Sequence, residues 1–126
     1  MTKGAHTMFY TSQAEALRAF LRDKFEMLGT DVGGGWLIFD LPEAEMGCHP
    51  LENAVGPDGN PPHSGQPSIS FYCDDIHATV AQLRERGVEF VDAISDVGYG
   101  LATHFKMPGE FTLELYQPRY QRKRKG

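Results

Sequence analysis

The chain has 126 residues, 40% hydrophobic and 23% charged, the make-up of one globular domain and not of a disordered or fibrous polypeptide. It has no apolar run near the ~20 residues that cross a bilayer. Its first six residues lack the apolar stretch of a secretion signal, and Cys48 and Cys73 are too few for a disulfide scaffold, so a reducing, cytoplasmic setting is expected. Residues 1–118 hold all 17 acidic residues and only seven of the 12 basic ones, which argues against nucleic-acid binding by the body, since phosphates demand clustered cations. The other five, Arg119, Arg122, Lys123, Arg124 and Lys125, make residues 119–126 a basic tail, read as a frayed, solvated end.

In chain order, residues 5–11 read as a strand rich in aromatic and hydroxyl side chains. Ser12-Gln13-Ala14-Glu15 then has the spacing of a capping box. Leu17, Phe20, Leu21, Lys24, Phe25 and Leu28 follow at helical spacing, with Gly29 expected just past the helix end. Three strand-like segments come next, about 29–33, 35–41 and 44–49. Residues 50–67 hold five of the eight prolines and three glycines, the composition of a linker or an ordered crossing segment. Residues 68–73 read as another strand. A helix capped by Asp74 or Asp75 carries the stripe Ile76, Val80 and Leu83 and closes at Gly87. Strands are expected over about 88–94, 99–106 and 110–117.

The second half repeats the first. Phe9-Tyr10 matches Phe71-Tyr72 at an offset of 62, which also pairs Leu21 with Leu83 and Arg22 with Arg84; Asp31 to Gly35 matches Asp96 to Gly100 at 65. Two tandem βαβββ units are the simplest reading. The stretch from Phe71-Tyr72-Cys73-Asp74-Asp75-Ile76 to Gly87-Val88-Glu89-Phe90 resembles the second strand-plus-helix unit of the vicinal oxygen chelate superfamily, which holds glyoxalase I, bleomycin-resistance proteins and extradiol dioxygenases. Leu113-Glu114-Leu115-Tyr116-Gln117-Pro118 is similar to its last strand. The resemblance covers residues 5–118. It implies an α+β fold of two βαβββ modules, 5–49 and 68–118 joined by 50–67, with cupped mixed sheets around a cavity, and a homodimer.

The resemblance also implies where a site would lie. Metal-using members draw ligands from the first and fourth strands of each module. Those positions give His6, Glu45 and Glu114, with His49 able to add an imidazole. Alternation supports the facing: Leu113 and Leu115 belong to the helix side, leaving Glu114 and Tyr116 toward the cavity. If Met46 and Cys48 play the same part, Glu45 and His49 share that face; a one-residue slip would invert it. The position matching His6 in the second module is Ser68, a weak ligand for a first-row metal. An Fe(II) dioxygenase site needs two histidines and a carboxylate, so ring cleavage is disfavoured. Trp36, Phe71, Phe105 and Tyr116 are candidate cavity aromatics. Parity sets His104 opposite Thr103 and Phe105, and its face stays unassigned.

Two functions follow. In the first, the protein binds a small organic ligand, cationic by preference, in an acidic, aromatic-lined cavity without a complete metal site or any cofactor. In the second, it is a lyase or isomerase resembling glyoxalase I, using Ni, Zn or Mn on His6, Glu45 and Glu114, with Glu45 or Glu114 as the catalytic base. The acidic body, Ser68 and the lack of a cationic clamp for glutathione carboxylates favour the first. No membrane or nucleic-acid partner is expected.

Overall fold

The computed structural model describes residues 6–41, 43–56 and 59–121. Its elements are α1 (Ala14–Lys24), β1 (Gly29–Asp31), β2 (Leu37–Phe39), β3 (Ser70–Tyr72), α2 (Ile76–Glu85), β4 (Ser95–Asp96), β5 (Gly100–Met107) and β6 (Phe111–Pro118). The fold is mixed α+β. β1 and β2 form an antiparallel hairpin. The larger sheet runs β3-β6-β5-β4, with β6 parallel to β3 and antiparallel to β5. Both sheets are open, not closed into a barrel.

The larger sheet is built by the long β5–β6 hairpin. Pro108, Gly109 and Glu110 make a three-residue turn, with Gly109 and Glu110 both at positive φ. Gly109 is needed twice over, because a Cβ there would also collide with the Thr11 hydroxyl. The turn sets the register: Phe105 faces Leu113, His104 faces Glu114 and Ala102 faces Tyr116. One face of the sheet therefore presents Phe71, Phe105, Met107, Leu113 and Leu115 to the helices. These close on Leu17 and Leu21 of α1 and Ile76, Val80 and Leu83 of α2. Phe105 is fully buried at the centre, with ring centroids of Phe25 and Phe90 at 5.3 and 5.8 Å.

The helix ends depart from local sequence rules. Asp75 caps α2 as expected, accepting from the Ala78 N–H at 3.1 Å. The Ser12–Glu15 capping box does not form: Gln13 is the N-cap of α1 and makes no side-chain cap bond. The Thr11 hydroxyl accepts from the Gln13 N–H instead and donates to the Pro108 carbonyl, so a tertiary contact fixes this end. α1 also stops at Lys24, short of Gly29. Glu26 takes the positive-φ position after the helix, and Met27 N–H reaches back to the Leu21 carbonyl at 3.3 Å. Arg86, at the end of α2, locks that stop by donating to the Lys24 carbonyl at 2.7 Å and to Glu26 at 3.1 Å.

The two halves are unequal in ladder structure. Strands were expected over 5–11 and 44–49; among the described residues of these segments none forms, and 88–94 keeps only a bridge from Phe90 to Phe105. A strand needs a paired backbone as well as a suitable side-chain pattern. Phe9 packs on Phe111, yet its backbone joins no ladder. Described residues 43–49 are exposed throughout. The linker is held by local turns, such as Gly56 N–H to the Asn60 carbonyl at 2.7 Å.

Candidate functional site

The second face of the large sheet carries the chemistry. Alternation puts Ser70 and Tyr72 of β3, Glu114 and Tyr116 of β6, and Ala102 and His104 of β5 on it together. Two polar groups adjoin on this face.

The first is Asp92, His104 and Glu114. Asp92 Oδ1 accepts from the Thr103 hydroxyl and from the His104 N–H, both at 2.8 Å, and Oδ2 lies 2.8 Å from His104 Nδ1. Burial opposes its ionisation, but these bonds prevail and hold its carboxyl below the usual range. An ionised carboxylate needs a donor, so Nδ1 carries a proton and Nε2 is turned to Glu114, 3.7 Å from Oε2. Glu114 is about one-third exposed. Burial raises its carboxyl above the ordinary value, His104 pulls it back, and Asp92 adds to the rise.

The second is a chain of tyrosines. Tyr116 is buried, and its ring meets Tyr99 edge-on at 5.7 Å and Tyr120 at 6.5 Å. Its hydroxyl donates to the Tyr120 hydroxyl, which donates to Glu45 Oε1, both at 2.5 Å. The bond to Glu45, and after it the one to Tyr116, raises the Tyr120 phenol well above its usual range. Burial raises the Tyr99 phenol, helped by the charge of Glu114. Tyr72 donates to Glu43 at 3.0 Å. Carboxylates thus alternate with tyrosine rings along one face, while Lys106, farther along β5, is paired with Glu89 at 3.2 Å. A cavity of about 490 Å³ opens elsewhere, between Gln13 and the β5–β6 turn, and includes neither Glu114 nor the tyrosines.

Of the residues expected from sequence, Glu114, Tyr116 and Glu45 come together here. Phe71 and Phe105 lie on the opposite face, in the core, because they share the parity of Leu115 and Leu113. Trp36 stands 57% exposed just before β2, with the Arg18 guanidinium 6.0 Å from its ring. His6 is exposed, and His49, also exposed, has Nδ1 2.6 Å from the Pro50 carbonyl. Ser68 is exposed two residues before β3, and Ser70 takes the place beside Glu114. Among the described residues no group of three or more His, Cys, Asp or Glu side chains converges to hold a metal ion. The set His6, Glu45, His49 and Glu114 does not fit one in this arrangement. The pair that sequence reading missed is Asp92 and His104. The Pro108-Gly109 turn was the available signal, since centring the hairpin there pairs His104 with Glu114.

A family-wide sequence model of the Glyoxalase/Bleomycin resistance protein/Dioxygenase superfamily matches residues 3–115. The chain belongs to that superfamily. Solved structures of this superfamily's fold align over nearly the whole chain. A lactoylglutathione lyase from Agrobacterium tumefaciens is 14% identical with a TM-score of 0.58, covering 92% of this chain and 96% of its own. The antibiotic binding protein TnmS3 from Streptomyces sp. CB03234 is 21% identical with a TM-score of 0.57, covering 94% and 99%. A glyoxalase/bleomycin resistance protein/dioxygenase from Nocardioides is 17% identical with a TM-score of 0.56, covering 98% and 93%. At these identities the likeness shows the fold alone. No curated protein gave a significant match. Among the described residues, no helix is long and apolar enough to cross a membrane.

Proposed function

We propose that this superfamily member binds a small organic cation with a planar ring on the open face of the large sheet, without a complete metal site. The observation that carries this reading is the pair of rings Tyr99 and Tyr116, with the carboxylate of Glu114 beside them and that of Glu45 at the far end of the tyrosine chain. Aromatic faces attract cations and stack on planar rings, and a half-buried carboxylate gains from a cationic partner that offsets its lost hydration. The fold suits such a use, since a structural neighbour is an antibiotic binding protein.

The test is a fluorescence titration with ethidium, a planar aromatic cation, beside anilinonaphthalene sulfonate, an anion of similar size. Saturable ethidium binding is expected, weakened about tenfold, or ~1.4 kcal/mol, by Glu114→Gln or Tyr116→Ala. Absence of saturable binding by the parent and by Tyr120→Ala alike, or equal binding of the anion, would sink the proposal. The second reading, a divalent-metal lyase or isomerase, draws on Glu114 standing where the superfamily resemblance puts a ligand. It requires near-stoichiometric Ni, Zn or Mn to survive desalting and to be lost in His6→Ala. A cytoplasmic homodimer belongs to the same proposal. Leu28, Val32, Trp36 and Ile38 around the β1–β2 hairpin are exposed apolar side chains for a second copy to cover, and sedimentation measures that state directly.

A further inference from the structure

The tyrosine chain is not made by the sheet alone. Just past β6 the backbone runs on beside the β4–β5 turn, Arg119 opposite Tyr99, and is clasped there. The Arg119 guanidinium forks onto Asp96, with Nη2 to Oδ2 at 2.7 Å and Nη1 to Oδ1 at 2.8 Å, and Nη1 also donates to the Gly98 carbonyl at 3.0 Å. The Arg119 N–H donates to the Tyr99 carbonyl at 3.0 Å. Asp96 is ready to receive the fork, because its Oδ1 also accepts the Gly98 N–H at 2.8 Å. The fork holds the Asp96 carboxyl down at about 2, so the clasp is charged at neutral pH.

Four bonds thus fix the residue before Tyr120. Tyr120 is itself 45% exposed, and water could satisfy its hydroxyl in any outward rotamer. It turns inward instead. Its ring lies beside Tyr116, its hydroxyl accepts from Tyr116, and it donates to Glu45. A ring beside Tyr116 and a donor on Glu45 are what the face offers a planar cation.

We propose that Tyr120 is an internal stand-in for the ligand, held in place by the Arg119–Asp96 clasp, and that a ligand binds by displacing it. The proposal rests on the cation-binding reading of this face and adds what must move. A ligand's ring replaces the Tyr120 ring at Tyr116, and an N–H donor of its cationic ring system, in ethidium an exocyclic amino group, replaces the phenol at Glu45. Arg119 touches no ligand. It is a positioning residue that sets how firmly the strap is closed.

Two measurements decide the matter. In ethidium titrations, Tyr120→Ala is expected to tighten binding at least fivefold, and Arg119→Ala to act in the same direction, with Arg119→Lys between it and the parent because it keeps the charge and loses the fork. Binding by Tyr120→Ala alone, with none by the parent, has the same meaning: the strap is closed. Unchanged or weaker binding in Tyr120→Ala overturns the proposal, since Tyr120 is then a wall of the site. The second measurement needs no ligand. A slowly exchanging Tyr120 hydroxyl proton is expected by NMR in the parent, and it should vanish in Arg119→Ala with the melting temperature unchanged. Its persistence there shows that the clasp does not set Tyr120. If neither the parent nor Tyr120→Ala binds ethidium, the cation-binding reading and the displacement fall together, while the hydroxyl proton still decides the role of Arg119.

Discussion

Glu114 and Leu115 are neighbours in sequence and opposites in environment. Leu115 is buried in the helix-side core, and Glu114 looks across β5 to His104. Partial burial raises the Glu114 carboxyl above its ordinary value. A carboxyl raised in the fold binds its proton more tightly there than in the unfolded chain. Its contribution to stability is therefore complete at low pH and is lost as pH rises above the ordinary value through the raised one. Glu114→Gln is expected to flatten that part of the profile and to leave the protein more stable than the parent at pH 7 but not at pH 4, read from urea unfolding at the two pH values. Ligand binding, weakened in the same variant, would show the exchange of stability for a charged site. The facing of Glu114 was legible, because leucines on either side leave a carboxylate one way to point. That of His104 was not, since its partner Asp92 lies 12 residues away, across a segment without a regular strand.

At the scale of elements, the strap and the sheet meet at Gly100. Its φ is ordinary for any residue, so packing alone demands glycine: a Cβ would strike the Gln117 carbonyl and the Tyr116 ring. Gly100→Ala should cost about 2–3 kcal/mol by forcing β5 away from β6, seen as a lower denaturant midpoint with an unchanged slope. It should also loosen the tyrosine chain. Helices and long strands could be read from sequence where periodicity ran over many residues, as in α2, β5 and β6. Boundaries could not be read where a remote group decides them. α1 stops where Arg86 ties it, and it starts where Thr11 meets Pro108. Neither partner is visible in a local window.

Across the whole molecule, order is concentrated in the second half. The core draws on both helices, but the large sheet takes all its strands from residues after 69. Residues 43–56 are mostly exposed and belong to no strand ladder, and Glu43 and Glu45 tie them to Tyr72 and Tyr120 through side chains. Amide exchange should divide accordingly. β5 and β6 are expected to exchange only through global unfolding, and residues 43–56 to exchange orders of magnitude faster. Uniform protection would show that the first half is covered by a further surface, such as a second copy. The expected strand over 44–49 drew on the repeat, and a repeat in sequence supplies the pattern of a strand without its ladder.

β6 lies inside the large sheet, between β3 and β5, yet it is made last of the four strands. Ser70 is opposite Glu114, so β3 waits for 44 more residues before it has a partner. At a ribosome's pace that is roughly 2–9 s. Through that interval Phe71 and the apolar stripe of α2 have no sheet to close on. The sheet is thus completed in one late step, when residues 111–118 fold back along β5 and present their other edge to β3.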